Sequence, residues 1–102
     1  MTILREWRAR VPPEKAEEAR DFYLTKFKPG MVKSPGFISA SFGRRDLSGL
    51  VEFVLISHWR DIEAVTGFAG PAPEKAVLLD GISAFDADAD VFVRLYEVDD
   101  QC

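Results

Sequence analysis

Apolar and polar positions alternate along residues 2–11, TILREWRARV. Ile3, Trp7, Ala9 and Val11 share one face with Arg5, while Leu4, Glu6, Arg8 and Arg10 fall on the other. Period two with β-branched and aromatic residues predicts a strand. Pro12-Pro13 ends it, because proline brings no N–H to a ladder, and Pro13 suits the first turn of a helix. From residue 14 to 28 the period changes: Ala16, Ala19, Tyr23 and Phe27 recur three and four apart, with Phe22 widening the stripe. Early acids and late Lys26 and Lys28 match the helix dipole. Pro29-Gly30 is expected to stop this helix, and Pro35-Gly36 to mark a turn.

Residues 37–44, FISASFGR, alternate again, with Ile38, Ala40 and Phe42 opposing Phe37, Ser39 and Ser41. A hairpin loop is expected from Arg45 to Gly49, then a strand over 50–59, LVEFVLISHW, apolar on both faces as a central strand is. A second helix is predicted after Asp61, a side chain suited to an N-cap, through Ile62, Val65 and Phe68. Residues 74–80 are expected to add a helical turn or two. Residues 91–98, VFVRLYEV, form the last strand, and the tail DDQC is expected to fray. The order is β-α-β-β-α-β, a single ferredoxin-like α+β domain spanning 1–102: one antiparallel sheet with both helices on one face. The other face then carries Leu4, Val54, Ile56 and His58 among Glu6, Arg8, Arg10 and Glu52. Such a mixture suits closure by a second copy of the chain, so a homodimer with sheets packed face to face is expected.

Composition narrows the chemistry. The chain has 102 residues, one cysteine (Cys102) and one histidine (His58). These counts exclude an internal disulfide, a CxxC site and any multi-histidine metal site. The net charge of -4 argues against a nucleic-acid partner. The early charges of MTILREWRAR and the lack of a long apolar run lead to an expectation of no signal peptide, no membrane partner and a cytoplasmic address. Asp86, Asp88 and Asp90 resemble the start of a calcium loop, but Val91 stands where glycine is needed, so an acidic, solvated turn is expected.

Three strings add a resemblance: LISHWRDIEAV over 55–65, FAGPAPEKAV over 68–77 and VRLYEV over 93–98. With the element order, they resemble the antibiotic biosynthesis monooxygenase superfamily of dimeric α+β barrels. The resemblance implies a homodimer binding a small hydrophobic aromatic ligand. It further implies cofactor-independent oxygenation of a phenolic or polycyclic aromatic compound, with no metal, flavin or haem. Alternatives on the same fold are a non-catalytic binding or stress-response protein, and an isomerase or lactone-forming enzyme. The haem-degrading branch uses a first-strand asparagine, a tryptophan ending the third strand and a histidine on the next segment. Trp59 matches the tryptophan, but Trp7 stands at the asparagine position and 69–77 holds no histidine. Leu95 replaces the histidine usual in the closing strand.

Candidate site residues follow from side chain and face. Trp7 and Trp59 share the helix-facing side and either line a pocket or belong to the core. Phe22, Phe27 and Phe68 are further candidate walls for a substrate. Arg5, in an otherwise apolar row, requires an acidic partner or an anionic ligand. Tyr23 can offer a hydroxyl, and His58 titrates nearest neutrality. Arg5, Tyr23 and His58 are the candidates for catalytic polarity. Arg94 is expected to pair with Glu6 or Glu52.

Overall fold

The computed structural model describes residues 1–77 and 88–102. Strand β1 (Ile3–Val11) is the hub of an antiparallel sheet. It pairs along its whole length with β3 (Leu50–Trp59), which pairs in turn with β2 (Phe37–Leu47). Two short strands, β4 (Asp88–Ala89) and β5 (Arg94–Glu97), share the other edge of β1. The order β2-β3-β1-β4, with β5 also on β1, is the ferredoxin-like α+β arrangement expected from the alternation.

The β1–β3 register explains both faces. Ile3, Arg5, Trp7, Ala9 and Val11 lie opposite Trp59, Ser57, Leu55, Phe53 and Val51. This side receives the helices and holds the core: Trp59, Leu55, Met31 and Val65 are buried in one cluster, Val11, Val51 and Phe53 in a second. Leu4, Glu6, Arg8 and Arg10 oppose His58, Ile56, Val54 and Glu52 on the open face. There Arg10 bonds Glu52, Asp88 and Asp90, and Arg45 bonds Glu52. Arg94 reaches Glu6 and Asp90.

Several local expectations are corrected. Helical structure does not stop at Pro29-Gly30. Helix α1 (Ala16–Phe22) passes through a π-helical turn (Tyr23–Phe27) into α2 (Lys28–Lys33). Pro29 falls in the first turn of α2, where its missing N–H costs little, and the widened turn before it relieves the ring's clash with an earlier carbonyl. Met31, 1% exposed, draws this extension onto the core. The hairpin loop is only Ser48-Gly49, both at positive φ as a two-residue primed turn requires, so β2 runs on to Leu47. A bulge between Phe37 and Ser39 turns Phe37 inward with Ala40 and Phe42 and leaves Ile38 49% exposed.

The last strand is broken. Residues 91–93 leave β1 to pair with the segment before them, through Ala76 N–H to Val91 O, Val93 N–H to Glu74 O and a Lys75–Phe92 bridge. The described part of 74–80 is therefore extended where it pairs rather than helical; 78–80 lie outside the described residues, as does Asp86. Asp88 is solvated as expected but lies in β4 rather than in a turn, and both Asp88 and the partly buried Asp90 accept from Arg10, at 3.1 and 2.6 Å. The tail folds back far enough to set the Gln101 amide 3.2 Å from His58 Nδ1, while Cys102 is exposed. Helix α3 (Ile62–Ala69) starts as expected: the Asp61 carboxylate accepts from Ala64 N–H at 2.8 Å.

Candidate functional site

Alternation on β1 and β3 sends Arg5, Trp7 and Trp59 toward the helices, and α3 brings Phe68 down onto them. Trp59 has no exposed surface. Its ring stacks on Phe68 (centroids 4.9 Å) and meets Phe37 edge-on at 5.5 Å, and its indole N–H donates to Ser57 Oγ at 2.9 Å. It packs within the buried cluster on the helix side of the sheet. Phe68 also meets Phe27 edge-on at 5.8 Å. Phe27 stacks with Tyr23, and Tyr23 lies flat on Phe42 at 3.9 Å. A continuous run of rings thus links α3, the π-helical turn and β2. Trp7 is half-buried beside it and donates its indole N–H to Asp90 O at 3.2 Å. Phe22 is half-buried at the end of α1.

Arg5 is the charged group within this apolar side, at 1% exposure. Its guanidinium carbon sits 5.5 Å from the centre of the Phe68 ring, and one Nη donates to Lys75 O at 3.2 Å. Buried Nε has no hydrogen-bond partner among the described residues. Removal from water pushes the guanidinium well below the ordinary arginine range, to about 10. Burial likewise raises the Tyr23 phenol, keeping it protonated and able to donate.

His58 is set apart. It is buried on the open face, opposite Leu4, with the sheet between it and Arg5. With the Gln101 amide nitrogen donating to Nδ1, the ring proton is on Nε2, buried and without a hydrogen-bond partner among the described residues. The structure therefore brings Arg5, Trp7, Trp59, Phe27, Phe68 and Tyr23 onto one side and places His58 on the other. Three groups that contact them had weak or no sequence signal. Ser57, fully buried, could be found from its register opposite Arg5. The carbonyls of Lys75 and Asp90 could not, since any residue supplies a carbonyl. Among the described residues no group of three acidic, histidine or cysteine side chains is arranged to hold a metal, and no helix is long and apolar enough to cross a membrane.

The fold has many solved counterparts. A variant of SnoaB, a cofactor-independent oxygenase from Streptomyces nogalater, superposes with a TM-score of 0.69 at 17% identity, over 98% of this chain and 95% of that one. The heme-degrading protein Rv3592 from Mycobacterium tuberculosis gives 0.67 at 18% identity, over 100% and 99%. The de novo designed protein Foldit4 gives 0.64 at 20%, over 96% and 99%. An oxygenase, a heme-degrading protein and a design thus share one backbone, so these likenesses establish fold and not reaction. No curated protein sequence matches the chain. The family model of antibiotic biosynthesis monooxygenases, however, matches residues 2–72, from β1 through α3. With that match over most of the chain and the ferredoxin-like sheet beneath it, the protein belongs to the antibiotic biosynthesis monooxygenase family.

Proposed function

We propose that this chain is a cofactor-independent monooxygenase acting on a small aromatic phenolic compound held between sheet and helices. The observation that carries the reading is the ring cluster of Trp7, Phe27, Phe68 and Tyr23 on the same side as one buried cation, Arg5. Such a setting is dry and aromatic, with a donor fork for a developing oxyanion. An ionised anthrone or hydroquinone is electron-rich enough to pass one electron to O2. For the anthrone, the resulting radical pair joins as a carbon-bound peroxide that takes back a proton from solvent, and loss of water from this CH2-derived centre leaves a carbonyl. One O2 and one anthrone thus give one quinone and one water. In this scheme Trp7 and Phe68 shape the pocket, with Phe27, Phe22 and Trp59 behind them. Arg5 holds the oxyanion, and Tyr23 offers a hydroxyl toward the outer end. The test is oxygen uptake with a panel of anthrones and hydroquinones, with and without chelator. Chelator-resistant uptake that puts one oxygen atom into the product, a quinone from an anthrone or a hydroxylated quinone from a hydroquinone, without release of hydrogen peroxide supports the reading.

A second reading, a non-catalytic binder of the same aromatic class, is favoured by the full coverage of Trp59, which leaves that indole no surface to offer a ligand. Tight binding of one aromatic without uptake across the panel would select it.

The protein is further proposed to be a cytoplasmic homodimer closed across the open sheet face. Support comes from Ile56 and Tyr96, exposed there at 38% and 47%, and from the orphaned His58 Nε2 beside them. His58 then serves the interface rather than the chemistry. Gel filtration with light scattering tests this; a mass of 11.4 kDa, that of one chain, would rule it out.

A further inference from the structure

We propose that Asp90 is a positioning residue for the helix-side site: its carboxylate, gripped by Arg10 on the open face, fixes the backbone carbonyl that orients the Trp7 indole. The role of Trp7 as a pocket wall rests on the function proposed above; the hold on its ring does not.

The broken last strand sets this up. Strand β4 pairs with Ala9 and Arg10 of β1, and β5 with Ile3 through Glu6. Trp7 and Arg8 fall between these two stretches. Asp90 donates its N–H to Arg8 O at 2.9 Å, and residues 91–93 then swing out to pair with 74–76. An interruption of a ladder re-aims the side chains beside it. Here the indole N–H of Trp7 donates to Asp90 O at 3.2 Å. Asp90 therefore works on both sides of the sheet. Its carbonyl serves the helix side, while its carboxylate lies among the open-face charges. Arg10 Nη donates to Asp90 Oδ1 at 2.6 Å, and Arg94 Nη lies 3.9 Å from Oδ2.

The two holds differ in strength. The Arg10–Asp90 contact is a short, charge-assisted hydrogen bond between partly buried side chains, and such bonds are roughly twice as strong as neutral ones. Asp90 is the largest of the influences that keep the Arg10 guanidinium above the ordinary arginine range. Arg10 is anchored in turn, because it also bonds Glu52 of β3 at 3.3 Å. The bond from Trp7 is neutral and of ordinary length, so the ring follows the carbonyl rather than the reverse. Asp88 provides the contrast. It accepts from the same Arg10 at 3.1 Å, but its side chain is 78% exposed and the Trp7 bond goes to Asp90.

The test is acrylamide quenching of tryptophan emission. Trp59 is wholly covered, so quenching reports on Trp7. Asp90→Ala should raise it. Asp90→Asn should raise it less, because the amide oxygen still accepts from Arg10 without the charge. Asp88→Asn, the same charge change beside the same arginine, should leave it at the wild-type level. Calorimetry with 2-naphthol as probe gives a second readout. Asp90→Ala should weaken binding about two- to tenfold, the worth of one hydrogen bond. In a Trp7→Phe background Asp90→Ala should have no further effect, because phenylalanine has no N–H for the carbonyl to hold. Far-UV circular dichroism checks that each variant is folded; if Asp90→Ala fails to fold, the isosteric Asp90→Asn decides by the direction of its shift. Unchanged quenching in a folded Asp90 variant, an equal rise with Asp88→Asn, or an undiminished effect in the Trp7→Phe background would each overturn the inference. The two readings fail separately. No binding of 2-naphthol by wild type removes the proposed pocket and leaves quenching to judge the hold on Trp7. Wild-type affinity and quenching in Asp90→Ala remove the hold and leave the proposed function standing.

Discussion

Replacing Arg5 by methionine should leave stability nearly unchanged, within about 1 kcal/mol of wild type, because relief and loss almost cancel. The relief comes from desolvation. Burial lowers the guanidinium to about 10, which corresponds to a cost on the order of 3 kcal/mol for keeping it charged. Against this stands the bond to the Lys75 carbonyl, about 1.5–3 kcal/mol for a charged donor, and the Phe68 contact at about 1 kcal/mol. Methionine fills the space of the stem with similar flexibility and leaves no charge behind. Urea unfolding at pH 7, followed by tryptophan fluorescence, measures the difference. The sign has a second check at high pH. Between about pH 10 and the ordinary arginine range the unfolded chain holds the Arg5 proton longer than the folded one. Wild type should therefore gain on the variant as pH rises through that window. A loss of about 3 kcal/mol or more at pH 7 would refute the reasoning, since it is what removing one member of a buried pair costs.

Other expectations separate local strain, capping and assembly. Gly36→Ala should destabilise by about 3 kcal/mol, since φ is +85° and the new Cβ would strike the Ala64 methyl; Gly49→Ala, at φ +84° in open space, should cost about 1 kcal/mol. Equal losses in thermal melts would contradict the close approach of β2 and α3. Asp61→Ala should lower the melting temperature at pH 7. The Ala64 N–H holds the Asp61 carboxyl below its usual range, so the capping stability is present above that range and fades as pH falls through the lowered value. The gap between variant and wild type should therefore close on acidification, and a gap that widened would show the sign to be wrong. Ile56→Asp should convert the proposed dimer to a monomer by gel filtration, with far-UV circular dichroism unchanged; a variant that stays dimeric would move the interface elsewhere.

Period two on β1 and β3 made the sheet legible, because each face of those strands meets a single environment along its length. The same alternation alone separates His58 from Trp59, and it puts Arg5 among apolar neighbours. What was not legible came from backbone events. The π-helical turn before Pro29 and the bulge at Ile38 depend on which residues the core needs to reach, Met31 and Phe37, and not on local preference. The break in the last strand has the same origin: residues 91–93 found a better partner in 74–76 than in β1. In the candidate site, the aromatic composition was readable but its tightness was not. That Trp59 is wholly covered follows from Phe37 and Phe68 arriving from two other elements. The absence of a carboxylate beside Arg5 among the described residues also needed three dimensions, in a sequence with 17 acids.

Oxygen consumption under chelator tests the central claim most directly. Wild type given an anthrone should consume one O2 per quinone formed, at a rate that excess chelator leaves unchanged, and Arg5→Gln should lose that turnover while remaining folded. No uptake across anthrones and hydroquinones, or full turnover by Arg5→Gln, would contradict an oxygenase built around a buried cation.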